Sequence, residues 1–112
     1  MPPKVKILRD RKYLDSFNGA ACYACGTCDG TIVPAHIRHG FSGGMGLKPP
    51  DNLALPLCHA CHALQHDIGE LDFWRRAYPG TGAISQDMGA LWAKKCAEWR
   101  YKGWKERQCQ KQ

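Results

Sequence analysis

The stretch that decides the fold runs Leu53-Ala54-Leu55-Pro56-Leu57-Cys58-His59-Ala60-Cys61-His62-Ala63-Leu64-Gln65-His66-Asp67-Ile68-Gly69. Leu53 to Leu57 is short and apolar, a strand candidate. Cys58 to Ile68 reads as a helix, and Gly69 stops it. Cys58 and Cys61 sit where the strand turns into the helix, with two residues between them, so both sulfurs can face one metal ion. His62 and His66 follow at i, i+4 spacing. That spacing puts two imidazoles on one helix face about a turn apart, where they can share a second ion.

The cysteine pair needs a partner, and Cys22-Tyr23-Ala24-Cys25-Gly26 supplies it. Glycine after the second cysteine permits a positive φ and backbone N–H···S contacts. Two C-x-x-C units in a short chain predict one tetrahedral Zn²⁺ on Cys22, Cys25, Cys58 and Cys61. Cys25-Gly26-Thr27-Cys28 has the same spacing, so Cys28 could replace Cys22; the place of Gly26 favours Cys22. A redox role would want a thioredoxin-like βαβ context, and the pattern lacks one. Cys96 is expected in the core and Cys109 as a free thiol in the tail.

Size and setting favour metal over disulfides. The chain has 112 residues, with 12 glycines and 7 prolines. The apolar core is therefore thin, and a domain this small usually needs a staple. No apolar run reaches the roughly 18 residues of a membrane span. Met1-Pro2-Pro3-Lys4 has no apolar segment behind it, so a reducing cytoplasm is expected, where disulfides are rare. The formal charge is +6. Four thiolates on Zn²⁺ would bring it to about +4. A basic balance favours a polyanion such as nucleic acid.

Outward from the centre, residues 1–9 form a basic arm. Asp10 caps a short helix through Phe17, ended by Asn18-Gly19. Thr31 to Ile37 is β-branched and reads as the first strand. Residues 40–51 are a Gly/Pro-rich loop. A helix covers about Leu71 to Ala77, stopped by Pro79-Gly80. The last helix begins after Ser85, with Met88, Leu91, Trp92, Cys96 and Trp99 on one face. Trp92 and Trp99 are expected to pack inward from that face. The organisation is a core over 10–78 and a helical extension over 79–112 packed on it.

Cys22-x-x-Cys25-Gly26, Ala35-His36-Ile37 and Asn52-Leu53-x-x-Pro56-Leu57-Cys58-x-x-Cys61-His62-x-x-x-His66 together resemble an HNH endonuclease. Ala35-His36-Ile37-Arg38-His39-Gly40, with Gly43-Gly44-Met45-Gly46-Leu47-Lys48-Pro49, is similar to the phage and prophage branch related to the Ref recombination nucleases. The resemblance spans about residues 10–75. It implies an α+β fold: a small zinc-stabilised ββα-metal core with flanking and C-terminal helices. It implies His36 as general base, Asn52 as the residue that positions the base loop, and His62 and His66 as ligands of a catalytic Mg²⁺, Mn²⁺ or Zn²⁺. It also implies DNA as substrate, a recombination role with RecA as a possible partner, and a bacterial or phage-infected cell. Ala35 departs from the pattern, since many such enzymes carry Asp or His there as a further ligand. Water, phosphate or Asp51 would then complete the shell. His36 could instead bind metal, and His39 and His59 are extra histidines that could also be ligands.

An imidazole can take a proton from water at neutral pH, and a divalent cation can neutralise the leaving oxygen of a phosphodiester. Arg38, Lys48, Arg75 and Arg76 are the candidate phosphate contacts. The competing reading is a non-catalytic zinc module that binds nucleic acid. Ala35 favours it. The presence of His36, His62 and His66 together speaks against it, because such a module needs only the cysteines.

Overall fold

In the computed structural model, which describes residues 7–39, 49–77 and 87–110, helices surround a two-stranded antiparallel sheet. Strand β1 (Val33–His36) pairs with β2 (Ala54–Leu57), setting Val33 opposite Leu57 and His36 opposite Ala54. Pro34 faces Pro56. Two strands alone are both edges, so a missing N–H on each can be tolerated. One further bond, Ile37 N to Leu53 O at 2.8 Å, carries the ladder beyond His36. β1 is shorter than the expected strand from Thr31. Asp29 Oδ1 accepts from Thr31 N at 3.0 Å and from Thr31 Oγ1 at 2.6 Å, a side-chain turn that competes with strand pairing.

Helix α1 (Arg11–Asp15) is capped by Asp10, whose carboxylate accepts from Tyr13 N. It ends before Phe17, and turns carry the chain to Gly19 at φ +83°. Helix α2 (His59–Ile68) starts from Cys58 as N-cap and stops at Gly69, which is held at φ +90° with its N–H on Gln65 O. Helix α3 (Glu70–Ala77) follows at once. The expected loop ends in a 3₁₀ turn, Asp51–Leu53, immediately before β2. Helix α4 (Met88–Gln110) is the longest. Its expected cap, Ser85, and the phosphate candidate Lys48 lie outside the described residues. The arm is tied down at its end: Asp51 N bonds to Leu8 O at 3.0 Å, and Arg9 Nη1 to Pro49 O at 2.6 Å.

Tyr13, Phe17, Ile37, Leu57 and Trp74 fill the interior. Helix α4 packs against α3, β2 and the 3₁₀ turn through its small residues, and Ala90, Ala93 and Ala97 are fully buried. This corrects the expected face. Met88, Leu91 and Trp99 are exposed, Trp99 by 57%, and Trp92 is half-buried with its ring edge-on to Trp99. The reason is a backbone-close approach at Gly89 and the alanines, where larger side chains would not fit. Farther along α4, Tyr101 and Trp104 join Tyr13 in an aromatic cluster, with Tyr13–Tyr101 centroids 4.8 Å apart. No helix among the described residues is long and apolar enough to cross a membrane.

Candidate functional site

The fold brings both cysteine pairs together. Tyr23 N donates to Pro56 O at 2.7 Å, which holds the first turn against β2. Gly26, at φ +79°, closes that turn with its N–H on Cys22 O at 2.9 Å. Cys58 and Cys61 enter from the start of α2. The sulfurs of Cys22, Cys25, Cys58 and Cys61 all lie within 4.8 Å of one another. Cys25 and Cys58 are 3.7 Å apart. Sulfurs about 2.3 Å from a tetrahedral Zn²⁺ would stand about 3.8 Å apart, so the donor set fits the ion. Cys28 is not part of the group; its thiol donates to Gly19 O at 3.2 Å.

The surroundings shift two thiols of this cluster in opposite directions. Burial pushes Cys22 up, but backbone N–H groups outweigh it and bring the thiol down to about 7. Burial, and then the three neighbouring thiols, push Cys61 far above its ordinary value. Cys22 thus ionises readily while Cys61 resists, and a cation bound among the sulfurs would offset the charge that their ionisation creates. A four-cysteine structural metal site is therefore what this cluster provides.

His36, His62 and His66 line one cavity of about 730 Å³ beside this cluster, together with Arg11, Arg38 and Glu70. His36 ends β1. His62 and His66 lie a turn apart on α2, their ring centroids 4.7 Å from each other. Burial, then His66 and His59, hold His62 below its ordinary pKa, so its lone pair stays available to a metal. The group that meets His36 is Asp51, with Oδ1 at 2.9 Å from Nε2. Asn52 is its neighbour in the 3₁₀ turn. Asp51 is 4% exposed and also accepts from Asp10 N at 2.7 Å.

Glu70 is a residue that sequence reasoning missed. Its Oε1 accepts from Arg38 N at 2.6 Å, His39 N at 3.3 Å and Trp74 Nε1 at 3.2 Å. Lys94 Nζ donates to His39 O at 2.7 Å. Together these contacts pin the segment that follows His36. A carboxylate that bonds backbone leaves no motif, so only the first-turn position on α3 hinted at it. Arg11, on α1, also went unnoticed because it comes from outside the linked motifs. Of the phosphate candidates, Arg38 reaches the cavity. Arg75 and Arg76 lie exposed on α3 outside its lining, and Arg75 pairs with Asp72 at 3.5 Å. His39 is held through its backbone. His59 is exposed on α2, its N–H on Thr31 Oγ1 at 3.0 Å.

No curated protein and no solved structure matches the chain. A family model does match, over residues 1–78, which takes in both strands, α2, the cysteine cluster and the three cavity histidines. The chain therefore belongs to the family described as protein of unknown function, DUF968.

Proposed function

We propose that this protein is a metal-dependent endonuclease of the HNH kind that hydrolyses DNA phosphodiester bonds. The supporting observation is the meeting of His36, His62 and His66 in one cavity beside the four-cysteine cluster. The cysteines hold a structural Zn²⁺ that fixes the first turn to the start of α2. His36 is the general base: it takes a proton from the water that attacks phosphorus, and the bond from phosphorus to the 3′-oxygen breaks. His62 and His66 hold a divalent cation. When bound, that ion polarises the scissile phosphate and offsets charge on the leaving oxygen. Arg38 and Arg11 supply positive charge to the same cavity.

The resemblance to the Ref-related branch extends the proposal to DNA recombination with RecA as a partner. Ala35 supports the second reading, a zinc module that binds nucleic acid without cutting it, because its methyl group is buried and offers no ligand beside His36. Plasmid and single-stranded DNA incubated with Mg²⁺, Mn²⁺, Zn²⁺ or EDTA separate the two readings. Cutting that requires metal and disappears in His36→Ala supports the nuclease. Binding without cutting under every metal favours the module.

A further inference from the structure

We infer that Asp51 is the positioning residue for His36, fixing the tautomer and direction of the imidazole. The inference rests on the nuclease reading for its use in catalysis but not for its geometry. A carboxylate only accepts hydrogen bonds. With Asp51 Oδ1 2.9 Å from His36 Nε2, that nitrogen carries the proton. The lone pair is then on Nδ1, leaving one defined acceptor on a ring that lines the cavity.

Three features argue against an incidental ion pair. Backbone bonds already fix β1 to the segment before β2, through the His36–Ala54 register and Ile37 N to Leu53 O. The side-chain contact is therefore not needed to join these segments. Asp51 is also held by other groups: Asp10 N donates to its second oxygen, Oδ2, at 2.7 Å, and Arg9 Nη1 stands 3.6 Å from Oδ1, the oxygen that meets His36. Finally, Asp10 is itself anchored to α4, by Tyr101 Oη at 3.0 Å and Lys105 Nζ at 3.7 Å. The carboxylate thus has little freedom to turn, and it passes that restriction to His36. Here the arm's end and the C-terminal helix acquire a role in the site.

The direct test is ¹⁵N NMR of the histidine side chains in the zinc-loaded protein at a pH where His36 is neutral. The expected result is the Nε2–H tautomer for His36 in the wild type, and a mixture in Asp51→Asn. Zinc content and thermal unfolding show whether the variant is folded. The wild-type spectrum stands by itself if it is not: Nδ1–H, or a mixture, refutes the inference. In the cleavage assay Asp51→Asn should lower kcat about 100-fold with little change in KM, which is the loss expected when a general base is no longer aimed. An Asp51→Asn protein that cuts like wild type overturns the inference alone. The expected tautomer in a protein that cuts no DNA overturns the nuclease reading, and with it the catalytic use of the pair.

Discussion

Replacing Gly89 with alanine should cost stability, although alanine is the better helix former. A Cβ at Gly89 would lie 2.5 Å from Arg75 Cα, Arg75 N and Trp74 C. Carbons in good contact sit about 3.5–4.0 Å apart, so α4 must retreat from α3 by about 1 Å. The obstacle is backbone, and no side-chain rotation clears it. The retreat loosens the layer that buries Trp74, Ala90 and Ala93. A gap of that size forfeits up to about half of each dispersion contact, and overpacking of this kind costs about 1–3 kcal/mol. The propensity gain is under about 1 kcal/mol and smaller still in the first turn of a helix. The net expectation is a loss of about 1–2 kcal/mol, or roughly 4–8 °C in Tm for a domain of this size. Gly103 is the internal control. It lies in the same helix, but its Cβ would meet only the end of the Arg107 side chain, at 3.4 Å. Gly103→Ala should therefore raise stability by up to about 1 kcal/mol. Thermal unfolding of the zinc-loaded variants by circular dichroism reads both. If Gly89→Ala is as stable as Gly103→Ala, then α4 does not pack on α3 through its small residues.

Removing the structural metal should unfold the protein. Zinc in such sites contributes about 10–16 kcal/mol, as much as or more than the whole stability of a small domain; a chelated protein that keeps its far-ultraviolet spectrum and unfolding transition would contradict this. Tyr13→Phe should stabilise the fold by about 1 kcal/mol, because the Tyr13 hydroxyl is buried without a partner among the described residues. The same substitution should blunt alkaline unfolding. Burial raises the Tyr13 pKa to about 12, so wild-type stability is unaffected by this ionisation below pH 10 and falls as pH rises from 10 towards 12, where only the unfolded chain can ionise the phenol. Equal denaturation midpoints for Tyr13→Phe and wild type across that range would count against the buried, unpartnered phenol.

What the sequence discloses depends on how local the signal is. The cysteine pairs, α2 and the His62–His66 pair were legible because spacing along one segment sets their geometry. The four sulfurs met as the two C-x-x-C units required. Gly69 ends α2 as expected, and it does so at a positive φ. The α+β class with a two-stranded sheet was likewise legible. The inward face of α4 was not. Hydrophobicity singled out Met88, Leu91 and Trp99, while the packed residues are alanines, whose value lies in close approach rather than in apolar area. The partner of His36 was also hidden. Asp51 and Asn52 are adjacent and both polar, and only the turn they occupy decides which side chain reaches the imidazole. Glu70 and Lys94 act on backbone atoms of the segment after β1, contacts that no motif encodes.

The proposed nuclease assigns DNA cutting to the cavity histidines and leaves the cysteines only to hold the fold. The most direct measurement compares DNA cleavage by wild type and by the His62→Ala/His66→Ala double variant, with zinc stoichiometry and thermal unfolding recorded on the same samples. If the histidine pair holds the catalytic metal, the double variant retains one zinc per chain and an unchanged fold and loses metal-dependent cutting. Cutting at the wild-type rate by a variant that keeps its zinc would contradict that assignment, because the histidine pair would then have no part in the chemistry.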